Sequence, residues 1–169
     1  MADEKPQSTV INTTTHGILK RTTFVVPNAE EAAAYYMHVF GWTKWYDNEV
    51  AVHEMFPPAA AHNAPAHLIL LKVEDPQIGM LGLLQYLDPP FDTGVKKNRT
   101  KVGIGDTLLV VETTDIQGVY KRAQEAGANI VAPPTDWEVP GFNGGPPILL
   151  TTMSMFDING IYMEVNAKR

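Results

Sequence analysis

The chain has no cysteine. Disulfides, thiolate metal sites and cysteine nucleophiles are excluded. It is also short of positive charge: 13 Lys and Arg stand against 19 Asp and Glu, a net charge of -6. With no basic excess to neutralise phosphates, neither nucleic acid nor a membrane surface is expected as a partner. No uncharged apolar run reaches the roughly 18 residues that a membrane span needs. The opening MADEKPQSTVINTTTHG lacks the apolar centre of a secretory signal, so the expected location is cytoplasmic. No phosphate-cradling loop is present, because Gly103 and Gly105 in VGIGD lack a strand before and a helix after. No G-x-S-x-G elbow or zinc motif occurs.

What remains is ordinary in bulk. The chain has 169 residues, 44% hydrophobic and 19% charged, enough for one domain or two small modules. Residues 1–16 read as a loose polar arm. ILKRTTFVVPN is strand-like and leads into AEEAAAYYMHVFG, a helix with Asn28 as cap, Glu31 three residues on and Gly41 as stop. Three strand-like runs follow, WTKWYDNEV, HLILLKVED and MLGLLQYLD, the first two separated by the Pro/Ala-rich FPPAAAHNAPA. After a joint the order repeats: DTLLVVETTD, the helix IQGVYKRAQEAG with Asp115 as cap and Gly127 as stop, then NIVAPPTDWEV, PILLTTMSMFD and IYMEVNA. The caps lie 87 residues apart and the stops 86. Agreement at two independent landmarks identifies a tandem duplication. The expected fold is α+β, two βαβββ modules forming an eight-stranded cup, with boundaries at 17–90 and 106–169 and a joint at 91–105. A concave sheet surface is a natural ligand site.

FVVPNAEEAAAYYMHVFGW, VETTDIQGVYKRAQEAGANIVAPP and the closing FDINGIYMEV resemble the vicinal oxygen chelate superfamily, which includes glyoxalase I, bleomycin-resistance proteins, methylmalonyl-CoA epimerase and extradiol dioxygenases. The last stretch is similar to that family's D-x-x-G-x-x-x-E close, and the resemblance covers roughly residues 18–166. It implies a homodimer, and four strand positions in the cup that hold a divalent cation in the metal-using members. Those positions fall here on Arg21, Gln85, Leu108 and Glu164. Arginine stays protonated and leucine has no donor, so no metal is expected. A two-residue shift of register would add Asp106 as a third oxygen ligand beside Gln85 and Glu164.

Glu164 then has three readings: a structural ion pair with Arg21, a catalytic base beside a ligand-binding Arg21, or an exposed edge carboxylate. His53 and His67 flank the Pro/Ala loop and are candidate acids or bases. Gln85, Leu108, Met153 and Tyr162 are candidate ligand contacts. Trp137 and Phe142 lie in TDWEVPGFNGGPP, read as a loop whose aromatics cap a flat ligand or pack a dimer. Trp42, Trp45 and Tyr46 are assigned to packing. KKNR at 96–99 reads as a solvated loop. The expected activity is binding or converting a small, largely apolar organic molecule without a metal tetrad. The alternatives are a metal-dependent lyase, isomerase or oxygenase, and a non-catalytic drug-sequestering binder.

Overall fold

A computed structural model describes residues 17, 19–57, 59–75, 78–91 and 99–169. The arm at 1–16, and residues 92–98 of the joint, with Lys96 and Lys97, lie outside the described residues. The chain divides into two compact units, one carrying β1–β4, the other β5–β8. Each has the order strand, helix, three strands.

In the first unit, β1 (Arg21–Val25) leads to α1 (Ala29–Phe40), β2 (Thr43–Ala51), β3 (Pro65–Lys72) and β4 (Met80–Tyr86). The sheet order is β1-β4-β3-β2, with β1 parallel to β4 and the other pairs antiparallel. Asn28 caps α1 by accepting from the Glu31 amide at 3.0 Å, and Gly41 ends it at φ 74°, a conformation glycine adopts at little cost. Ile69, Leu71 and Leu83 are fully buried on one face of the sheet, each contributing about 1.5–3 kcal/mol by burial. On the other face the 52–64 connector folds back. Val52 gives its N–H to Ala64 and accepts from Asn63, both at 2.8 Å. Phe56, Ala59 and Ala60 then pack on Val52, Ala66, Leu84 and Tyr86.

The second unit repeats the plan with β5 (Leu108–Glu112), α2 (Ile116–Glu125), β6 (Asn129–Val139), β7 (Ile148–Phe156) and β8 (Tyr162–Lys168), in the order β5-β8-β7-β6. Asp115 caps α2 through the Gly118 amide at 3.0 Å, and Gly127 follows it at φ 83°. α2 buries Ile116, Val119 and Ala123 and touches β6, β7 and β8. Met153, Met155, Met163 and Val165 are fully buried. Strand alternation puts all four on one face, that of α2. β6 runs along the sheet edge, and its register slips where Pro133 and Pro134 cannot donate to a ladder.

Trp137 therefore lies in a strand, not in the loop expected from its neighbours. Only the tight connection beyond β6 is irregular, with a short 3-10 turn at Phe142–Gly144. Trp42 stacks on Tyr36 at 5.5 Å between ring centres, as the packing assignment expects.

Candidate functional site

The turn Asp157–Gly160 sets the start of β8. Asp157 is buried, and its Oδ1 accepts from the amides of Asn159 and Ile161, both at 2.8 Å. Those bonds start the strand at Tyr162. Alternation then puts Tyr162, Glu164, Asn166 and Lys168 on the face away from α2. Their register partners on β5 are Leu108 for Tyr162, Val110 for Glu164 and Glu112 for Asn166.

This face of the second unit holds an open pocket of about 460 Å³, lined by Thr100, Lys101, Val102, Leu108, Val131, Phe156, Tyr162 and Glu164. One wall is the strap 99–106. Arg99 pins it: the guanidinium pairs with Asp106, donates to the Gly160 carbonyl at 3.2 Å and lies 5.5 Å from the centre of the Phe156 ring. The Arg99 carbonyl accepts from Asn129 Nδ2 at 2.7 Å. Arg99 is thus a half-buried anchor, not the solvated loop residue read from KKNR. Asp106 is committed to Arg99 and to the Gly103 amide at 2.5 Å, which removes it as the third oxygen ligand of the shifted register.

Glu164 is half-buried, and its partner is in its own strand: Oε1 accepts from Asn166 Nδ2 at 2.8 Å. Asn166 Oδ1 accepts in turn from Thr152 Oγ1, and Thr152 Oγ1 from Trp137 Nε1 at 2.6 Å. Trp137 is 47% exposed. Phe142 is 85% exposed at the tip of the β6–β7 connection. Met153 does not join this face. It pairs with Val165 and is fully buried on the α2 side, so its place among the ligand contacts is corrected.

In the first unit the expected site residues part company. Arg21 opens β1 on the face of Met80 and is exposed. Gln85 belongs to the other face, where its Oε1 accepts from the Ala29 amide at 2.9 Å, the first residue of α1. It satisfies a helix N-terminus, so its assignment to the cup is corrected. The one-residue neighbours on the opposite face are Leu84 and Tyr86. Arg21 therefore belongs to the first unit, and Leu108 and Glu164 to the second, where Glu164 is the one carboxylate among the pocket's lining residues.

His67 pairs with Gln85 across the ladder and so shares the α1 face. Its Nε2 lies 2.7 Å from Asp47 Oδ1. A bulge between Lys44 and Tyr46 re-phases β2, so Lys44 and Asp47 share that face too. Lys44 Nζ bonds Glu30 Oε2 at 2.6 Å and Asp47 Oδ2 at 2.7 Å. The Glu30/Asp47/His67 group has ligand atoms close enough for a metal ion, but the Lys44 ammonium already bonds both carboxylates. The Lys44 bond, then the His67 bond, holds the Asp47 carboxyl below its ordinary range. Asp47, then Glu30, raises the Lys44 ammonium above its own. His67 thus serves an ion-pair cluster on the helix side rather than the mouth of a cup. His53 is exposed; its Nδ1 accepts from the Met55 amide at 3.2 Å and its ring meets His62 edge-on at 5.7 Å.

The sequence had not singled out Val131 and Phe156 as pocket walls, nor Thr152 and Asn166. The polar i, i+2 spacing of Glu164, Asn166 and Lys168 on one strand was the available signal.

Comparison with known proteins agrees with this architecture. Over 94% of this chain and 99% of the other, the structure is similar to a glyoxalase family protein from Bacillus cereus, at a TM-score of 0.72 and 12% identity. It is similar to a V278E mutant of glyoxalase I from Zea mays at 0.58 and 15%, covering 88% of this chain and 44% of that one. TioX from Micromonospora sp. ML1 aligns at 0.50 and 17%, covering 90% of this chain and all of the other. At such identities the likeness speaks for the fold alone. No curated protein matches the sequence. The model of one family matches residues 18–139, most of the chain, and with the duplicated βαβββ order it places this protein in the glyoxalase/bleomycin resistance protein/dioxygenase superfamily.

Proposed function

We propose that the second module binds a small, largely apolar organic molecule, with Glu164 as its polar anchor and without a metal ion. The observation that carries this is the pocket itself: Leu108, Val131, Phe156 and Tyr162 surround a single half-buried carboxylate. Pockets of this size, mostly apolar with few convergent polar groups, suit small organic ligands. Tyr162 and Phe156, whose rings meet edge-on at 5.3 Å, offer an aromatic wall for a flat ligand. Trp137 and Phe142 are exposed aromatic side chains of the same module. Arg21 and His53, in the first module, are not among the pocket's lining residues and take no part in this reading.

Metal-free binding follows from the donor set rather than from any missing ion. Elemental analysis after growth with nickel, manganese, iron and zinc tests it. Each metal is expected far below stoichiometry, and a near-stoichiometric one would move the reading to metal-dependent lyase, isomerase or oxygenase chemistry. A thermal-shift screen of aromatic acids, aromatic amines and glycopeptide-like drugs tests binding. Stabilising ligands should lose their effect in Glu164→Gln; hits unaffected by that change contradict the anchor. Homodimerisation is part of the proposal and is read by light scattering.

A further inference from the structure

The four hydrogen-bonding side chains on the open face of the second module have one direction. Trp137 Nε1 can only donate, and it donates to Thr152 Oγ1. The Thr152 hydroxyl gives its own proton to Asn166 Oδ1. Asn166 is then fixed in the flip that aims Nδ2 at Glu164 Oε1. Every donor in the series points toward the carboxylate. The amide flip is decided by the carboxylate, since the reverse arrangement would set two acceptors, Asn166 Oδ1 and Glu164 Oε1, against each other. Among the described residues no hydrogen bond or ion pair holds the second oxygen, Oε2, although Glu164 lines the pocket.

We propose that Trp137, Thr152 and Asn166 are positioning residues that orient Glu164, and that the pocket selects ligands presenting a hydrogen-bond donor, above all an ammonium or amidinium, on a flat apolar body. The claim rests on the reading of this pocket as the ligand site and adds the ligand's polar chemistry. A carboxylate turned by a donor on one oxygen offers the other as an acceptor, and a charge-assisted bond there is stronger than a neutral one. An anionic ligand would face the same carboxylate without a donor. The other charges of this surface do not supply the preference. Glu112, beside Asn166 on β5, is bonded by Lys168 at 3.0 Å. Asp106 is held by Arg99, and Lys101 at the strap favours the opposite sign.

The relay has a signature that a merely structural bond lacks. In an acid titration followed by NMR, the Trp137 indole N–H signal should move with the same midpoint as the Glu164 side-chain carboxyl carbon. Thr152→Val should abolish the shared movement and Thr152→Ser should restore it. An indole signal that stays still, or that moves unchanged in Glu164→Gln, overturns the relay. Glu112→Gln should leave the coupling in place, and loss of coupling there assigns it to the wrong carboxylate.

The ligand class is tested on the same full-length protein with benzylammonium and benzoate as probes. Benzylammonium should bind about tenfold more tightly. The preference should vanish in Glu164→Gln and survive in Glu112→Gln. Equal binding of both probes, with the amides of Leu108, Val131 and Tyr162 perturbed, overturns the donor assignment while the pocket stands. No perturbation of those amides by either probe rejects the pocket itself.

Discussion

The two modules share a topology and differ in what lies on the sheet face away from the helix. In the first, the 52–64 connector covers it, and Leu84 and Tyr86 are almost completely buried beneath Phe56, Ala59 and Ala60. In the second, the β6–β7 connection is a tight turn around Phe142–Gly144 and covers nothing comparable. There Leu108 is 51% and Val110 67% exposed. Duplication thus supplied two similar scaffolds, and one connector decided which face became core and which stayed a surface. Tyr86, the last residue of β4, marks the contrast: its hydroxyl donates to the Pro57 carbonyl at 2.8 Å and its ring stacks on Phe91 at 4.9 Å, whereas Tyr162, the first residue of β8, lines an open pocket.

Truncating one side chain in each module should separate the two faces most strongly. Tyr86→Ala should cost about 3–5 kcal/mol in urea unfolding, through lost burial and a cavity. Leu108→Ala should cost about 0.5 kcal/mol or less, as for other exposed positions. Equal costs would mean that the second face is as closed as the first.

A smaller effect separates the two polar residues once assigned to one site. Gln85→Leu should cost about 1 kcal/mol by leaving the Ala29 amide without its acceptor, and should leave ligand binding unchanged. Glu164→Gln should do the opposite, changing binding with little effect on the urea midpoint. A Gln85 variant that binds poorly would return that residue to the ligand site.

The smallest effect concerns the helix side of the first module. Lys44→Met should cost about 0.5–1 kcal/mol at low salt, because the ion pairs are partly exposed and screened. The pH window follows from the two shifts. Asp47 has a lowered folded pKa, so its contribution is full above the ordinary carboxylate value and is lost as pH falls through the folded one. Lys44 has a raised folded pKa, so its contribution is full below the ordinary lysine value and is lost as pH rises through the folded one. Urea midpoints of wild type and variant should therefore converge at both extremes and differ between them. A difference that persists in strong acid would show that packing, not charge, is responsible.

Much of the fold was legible because its signals are local. Asn28 and Asp115 cap helices through amides three residues away, and the Asp157–Gly160 turn is written in consecutive residues. The site was legible only in part. Which way Gln85 points depends on the strand register, and a slip of one residue exchanges the faces, so Leu84 and Tyr86 stand where Gln85 was expected. Met153 failed for a related reason: its face relative to Glu164 is set by the β7–β8 pairing rather than by its own neighbours. Arg99 and Asp106 are close in sequence, but the Arg99 bond to Gly160 spans 61 residues and has no local signature. The Trp137–Thr152–Asn166 series crosses three strands and became visible only once they were aligned.

Whether the open face of the second module is the binding surface, with Glu164 as its anchor, is decided by amide NMR mapping of a hit from the thermal-shift screen, in wild type and Glu164→Gln. Shifts should concentrate at Leu108, Val131, Phe156, Tyr162 and Glu164, and should be lost in the variant. Shifts centred on the first module, or a wild-type pattern that survives the Glu164 substitution, would contradict this assignment.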